Sequence, residues 1–228
     1  MIQLISYPVR AKDPAWPGNP TIRLEPHTSI DAGDVANTYM IHIFNHYGTH
    51  FDAPKHFYGQ GLPIASLPLE RFFYESPLLL DIPKGAGEKV TGQDLLPYAG
   101  EIARCDLLML RTGFSRMRVE DPNAYSYHGP ALGSSGAKYL MDTFTNIKAV
   151  ALDFISLASY GDQEDGNLAH QYMLGAFHSH YICIIEDVDL SRLPGQDELA
   201  DTPVKRAAAL PLFIEGVDSS PVTMWAEW

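Results

Sequence analysis

Residues 45–57 read Asn45-His46-Tyr47-Gly48-Thr49-His50-Phe51-Asp52-Ala53-Pro54-Lys55-His56-Phe57, and nine histidines occur in the whole 228-residue chain. Four of them, His42, His46, His50 and His56, fall within residues 42–56. Imidazole nitrogen and carboxylate oxygen are the usual ligands of Zn²⁺ and related divalent ions, and a catalytic site takes about three protein ligands plus an open position. His46, His50 and Asp52 supply that set. His50 and Asp52 are two apart, so in extended chain their side chains leave the same face. Gly48 permits the bend that folds His46 back towards them. Pro54 ends regular pairing, and a turn after it returns His56 to the mouth of the site. An imidazole titrating near neutral pH suits His56 to general acid–base work. His42 alternates with Ile41 and Ile43 and reads as an ordinary strand residue. Phe44, Tyr47 and Phe57 are the expected apolar wall for a substrate.

The rest of the chain narrows the setting. Hydrophobic residues make up 46% and charged residues 19%, and no apolar run nears the roughly 20 residues that span a bilayer. The start, MIQLISYPVRAKDPAWPG, lacks the basic-then-apolar pattern of a signal peptide, so a cytoplasmic location without membrane contact is expected. A formal net charge of −12 argues against a nucleic-acid partner. Cys105 and Cys183 lie far apart in apolar runs, which disfavours a disulfide framework and a cysteine zinc site. No G-x-S-x-G elbow occurs, and KGAGEK at 84–89 lacks the spacing of a P-loop.

Short apolar segments bounded by breakers predict strands at Ile2–Tyr7, Tyr39–Phe44, Pro77–Ile82, Asp106–Arg111, Ala149–Ile155, Tyr181–Ile185, Leu210–Ile214 and Pro221–Trp228. Helices are predicted over Thr91–Tyr98, opened by a Thr91/Asp94 capping pattern, Ser134–Thr145 and Asn167–Leu174. The expected fold is mixed α/β: one domain over residues 1–228, with a mixed β-sheet core flanked by helices. Arg111 ends its strand where polar groups can reach a pocket.

The segment His46-x-Gly48-Thr49-His50-x-Asp52-x-Pro54-x-His56 resembles the signature HxGTHxDxPxH of the cyclase family, whose members include bacterial kynurenine formamidase and isatin hydrolase. LISYPV, AWPGNP, LLLDIPKGAGEKVTGQDL, DLLMLRTGF, ALDFISL, AHQYMLG, IIEDVDL and LPLFIEGVDSSPVTMWA extend the likeness over most of the chain. The resemblance implies a cyclase-like domain in which His46, His50 and Asp52 bind a divalent metal and His56 assists proton transfer. It also implies that His170 and Glu186 complete a two-metal site. The segment AFHSHY between them adds His178 and His180 as rivals of His170, so one ion or two is open, as is Zn²⁺ or Mn²⁺. A homodimer or homotetramer is implied as well.

The activity implied is metal-assisted hydrolysis of a C–N bond in an amide or cyclic amide, with N-formylkynurenine as first substrate. An isatin-like lactam or a lactone, hydrolysed at a mononuclear site, is the alternative. In a third reading the histidines form part of a non-catalytic binding module. The open ligand count disfavours it, because structural zinc sites close with four protein ligands and favour cysteine.

Overall fold

The computed structural model describes residues 1–195 and 203–228. Its strands are β1 (Ile2–Leu4), β2 (Arg23–Thr28), β3 (Thr38–His42), β4 (His50–Asp52), β5 (Phe73–Tyr74), β6 (Pro77–Asp81), β7 (Lys89–Val90), β8 (Leu107–Arg111), β9 (Ala131–Leu132), β10 (Ala149–Leu152), β11 (Cys183–Glu186), β12 (Arg206–Pro211) and β13 (Ser219–Glu227). Nine of them form one mixed sheet in the order β5, β12, β13, β4, β11, β10, β8, β6, with β1 paired to the far part of β13. β6, β8, β10 and β11 run parallel, whereas β4 lies antiparallel between β11 and β13.

β5 and β6 occupy opposite ends of this order, yet only Glu75 and Ser76 separate them in the chain. Three Cα steps reach at most about 11 Å, so the sheet curls into a nearly closed barrel. Asp106 fastens the seam: its carboxylate accepts from the backbone N–H groups of Glu75 and Ser76, both at 3.0 Å.

The parallel strands are continuous apolar runs because both faces are covered. Leu107, Met109, Ala151 and Ile185 point into the barrel with Phe51, while Leu108, Leu110, Val150 and Ile184 point outward. Helices Ser134–Thr143 and Gln163–Met173 cover the outer face through Leu140, Met141, Ala169 and Met173. The second helix comes unusually close at Gly166, where a Cβ would stand 2.3 Å from that of Ala158.

Several expected elements are shorter or placed differently. The Tyr39–Phe44 segment contributes β3 to a separate hairpin with β2, not to the main sheet. Leu24, Tyr39, Met40 and Ile41 on this hairpin are exposed. The Thr91–Tyr98 helix keeps its cap, with the Thr91 N–H donating to Asp94 at 2.8 Å. It tightens into a 3-10 turn at Leu96–Tyr98, where Pro97 removes a backbone donor. The last helix starts earlier than Asn167, because Asp162 caps it by accepting from the Asp165 N–H. Of the strand predicted at Leu210–Ile214 only Leu210 and Pro211 are paired, as the end of β12, which begins at Arg206. No helix among the described residues is long and apolar enough to cross a membrane.

Arg111 serves the fold. Its guanidinium pairs with Asp81 on the neighbouring strand and donates to the carbonyls of Leu190, Leu193 and Pro194 at 3.1, 2.9 and 3.0 Å. The alternative in which Arg111 faces a substrate is not met: it clamps the turn after β11 against β6 and β8. Arg111→Ala strands the Asp81 carboxylate and three carbonyls, and should lower stability by about 2–4 kcal/mol. A urea titration measures this as a lower midpoint at unchanged slope.

Candidate metal centre

The site is built on β4. Phe51 points into the barrel, so His50 and Asp52 emerge together on the outer face. The antiparallel register places Glu186 of β11 directly opposite His50, and the three share one face. Glu186 Oε2 lies 3.2 Å from His50 Nε2. His46 arrives from the turn before β4, its Nδ1 3.1 Å from Asp52 Oδ1. His50 Nε2 is 3.6 Å from the same oxygen. His56 returns through the 3-10 turn Pro54–His56, opened by Pro54, and its ring centroid stands 4.2 Å from that of His46. From the covering helix, His170 places Nε2 3.4 Å from Glu186 Oε1.

Two compact ligand groups result, His46–Asp52–His56 and His50–Asp52–Glu186, and they share Asp52. The fit to a cation rests on the carboxylate at their centre. Asp52 is fully buried, and among the described residues neither of its oxygens nor His50 Nε2 makes a well-directed hydrogen bond; the approaches of His46 Nδ1 to Asp52 and of His50 Nε2 to Glu186 are ion-pair contacts. A buried carboxylate without a donor is costly unless it is paired or coordinates a metal. The donors are nitrogen and oxygen only, the set that suits Zn²⁺ or Mn²⁺.

The surrounding backbone fixes the tautomers. His50 Nδ1–H donates to the Gly48 carbonyl at 2.8 Å, leaving Nε2 turned inward. Gly48 sits at φ +68, in the left-handed region, and this brings its carbonyl back onto the ring. His170 Nδ1–H likewise donates to the Gly166 carbonyl at 2.8 Å. Such outer contacts orient metal-binding imidazoles and set which nitrogen is free.

Asp218, just before β13, was not singled out in the sequence. Its Oδ2 accepts from His46 Nε2 at 2.9 Å and from His56 Nδ1 at 2.8 Å, and its Oδ1 accepts from Asn45 Nδ2 at 2.8 Å. The only sequence signal was an acidic residue at a strand entrance, which is common. Ser156 Oγ and the Leu157 N–H hold Glu186 Oε1 at 3.0 and 2.6 Å, and these also carried no readable pattern.

A cavity of about 260 Å³ opens above these groups, walled by Trp16, Phe44, Phe57 and Ile155, with Gln163 and Asn167 at its side. Phe57 stacks on His170 at 4.4 Å between centroids. The expectation for Tyr47 is corrected: it is fully buried, outside the cavity lining, and its hydroxyl donates to the Arg10 and Asp13 carbonyls at 2.6 and 3.2 Å. Tyr47 anchors the loop that carries Trp16. His178 and His180 lie apart, in a second cavity.

Charge follows this geometry. Burial disfavours an imidazolium at His46, but Asp52 and Asp218 outweigh it and push His46 up to about 10. His50 is raised too, against burial, by Asp52 and Glu186. Burial lifts Asp52, yet His56, His46 and His50 carry it well below the usual carboxylate range. Glu186 falls to about 2, burial being overcome by His170 and His50. The bonds from His46 and His56 hold Asp218 far below that range.

The family model described as "Putative cyclase" matches residues 4–159, and the chain belongs to this cyclase family. A Haemophilus influenzae protein without an assigned function is 41% identical over 127 residues, 56% of this chain and 89% of that one. Among solved structures, isatin hydrolase A from Ralstonia solanacearum aligns with a TM-score of 0.79 at 19% identity, over 99% of this chain and 91% of that one. A potential metal-dependent hydrolase with cyclase activity aligns at 0.74 and 21%, over 99% and 96%. These structural likenesses establish the fold.

Three outcomes follow. In the ion-free protein His46 keeps a proton from its ordinary 6.5 up to about 10, so an incoming cation must displace it. Metal uptake should release protons and tighten as pH rises, as calorimetry in buffers of different ionisation enthalpy will register. His46 pairing stabilises the ion-free chain below 6.5 and fades towards about 10, while Glu186 pairing is present above 4.5 and fades as pH falls towards about 2. Gly48→Ala, forced into a left-handed conformation, should cost about 1–2 kcal/mol and weaken metal binding measurably in a chelator competition.

Proposed function

We propose that this protein is a metal-dependent hydrolase cleaving the C–N bond of an amide or cyclic amide. The observation that carries this reading is Asp52: buried, without a well-directed hydrogen-bond donor among the described residues, and ringed by His46, His50, His56 and Glu186, which line the floor of an aromatic cavity. Relatives of the same fold named as metal-dependent hydrolases support it. A divalent cation held by these residues, Zn²⁺ first and Mn²⁺ second, would supply Lewis acidity towards a carbonyl oxygen and towards water.

The chain's own groups do the rest. Asp218 takes the Nδ1–H of His56, leaving Nε2 to accept the proton of the water that attacks the carbonyl carbon. As the C–N bond breaks, His56 Nε2 returns that proton to the departing nitrogen. Trp16, Phe44 and Phe57 suit a flat aryl group, which makes an aryl formamide such as N-formylkynurenine the first substrate. Isatin is the second, favoured by the fold shared with isatin hydrolases. Glu186 beside His170 gives the second ligand group its anchor, so the site has room for one ion or two. Self-association, to a dimer or tetramer, has its support in the exposed apolar hairpin of β2 and β3, since an isolated two-stranded hairpin is marginal on its own.

Elemental analysis together with hydrolysis of N-formylkynurenine and isatin tests the proposal. His50→Ala should shed metal and abolish turnover. His56→Ala should keep the metal while turnover falls about 10²–10⁴-fold; metal loss in that variant makes His56 a ligand instead. Asp218→Asn should retain metal with a smaller loss, about 10–100-fold. A fully loaded protein that hydrolyses no aryl amide, lactam or lactone would overturn the enzyme reading in favour of a binding module.

A further inference from the structure

We propose that His178 and His180 hold a second, peripheral divalent cation of the imidazole-seeking first-row class, Zn²⁺ foremost, apart from the Asp52 site. Both belong to the AFHSHY segment after the helix Gln163–Met173. They line a cavity of about 150 Å³ whose other side is formed by Pro54, Tyr58 and Leu62. This cavity shares no lining residue with the one above Asp52.

The chemistry at the two rings is specific. His178 Nε2 bonds Asp142 Oδ1 at 2.9 Å, so Nε2 carries the hydrogen and the lone pair is left on Nδ1. Among the described residues that Nδ1 is buried and has no partner. His180 Nε2 is buried and unpartnered among them as well, and the ring centroids are 5.5 Å apart. Two unpaired buried nitrogens on neighbouring rings form an unstable arrangement by themselves. A carboxylate behind one ring is the outer contact that raises the basicity of a metal-binding imidazole. Lys138 in turn pairs with Asp142 and fixes its position. Imidazole pairs select Zn²⁺, Cu²⁺ and Ni²⁺ over Mg²⁺, Ca²⁺ and Mn²⁺. Two protein nitrogens fall short of the three that anchor an ion tightly, so the ion is weakly held and exchangeable. Once bound, it would brace the turn after His170 against the loop after His56.

The test is zinc stoichiometry and affinity of the full chain, measured by elemental analysis and by titration against a chromophoric chelator. The unaltered chain should bind one Zn²⁺ more than His178→Ala or His180→Ala, with far-UV circular dichroism confirming that both variants are folded. Asp142→Asn, which keeps both rings, should weaken this ion about 10–100-fold. His50→Ala, which strips the Asp52 site, should still bind it. That last arm separates the two sites, because failure of the hydrolase reading leaves the peripheral ion untouched. Equal stoichiometry in the unaltered chain and both histidine variants would overturn the proposal and assign the cavity to water. Loss of this ion in His50→Ala would overturn it equally.

Discussion

Asp52 is a carboxylate taken wholly out of water with no well-directed hydrogen-bond donor on either oxygen among the described residues. Such a group persists only if positive charge stands beside it, and the site is organised around that requirement. His46, His50 and His56 approach it from three directions: the turn before β4, the strand itself and the turn after it. Asp218 and Glu186 back these histidines from the neighbouring strands. Asp218 lies outside both ligand groups and accepts from His46 Nε2 and His56 Nδ1, which leaves the other nitrogen of each ring free to face a cation.

Register explains why one sheet can supply all of this. β4 is three residues long, and moving its pairing by one residue would turn His50 and Asp52 into the barrel and Phe51 out of it. The apolar interior forbids that slip, because Phe51 packs against Phe72 and the inward faces of the parallel strands. Core packing thus sets ligand geometry. The covering helix adds His170 on the same terms, since its close approach at Gly166 also brings the carbonyl that orients the ring.

Much of this was legible in the chain. The parallel strands announce themselves as apolar runs because burial on both faces removes the usual alternation. The candidate ligands from His46 to His56 are neighbours in sequence, so local spacing alone brings their side chains together. Asp218 was not legible, because its contacts with His46 and His56 span more than 160 residues and depend on β13 pairing with β4. Tyr47 misled for the opposite reason: it sits among ligands in sequence, yet the φ of Gly48 and the turn around it send its ring under the N-terminal loop. The β2–β3 hairpin was misplaced because its residues have strand character with no core to face.

The position of β4 also governs how firmly the two polar side chains on it are held. A strand at a sheet edge can fray by itself, but β4 is flanked on both sides by hydrogen-bonded neighbours. His50 and Asp52 therefore keep their spacing for as long as the barrel holds together, because shifting either one means breaking ladder hydrogen bonds on both sides. The roof is held differently. The Trp16 loop hangs from the Tyr47 hydroxyl and from the Asp13–Arg118 ion pair, so a few side-chain contacts secure the top of the cavity where a hydrogen-bonded sheet secures its floor.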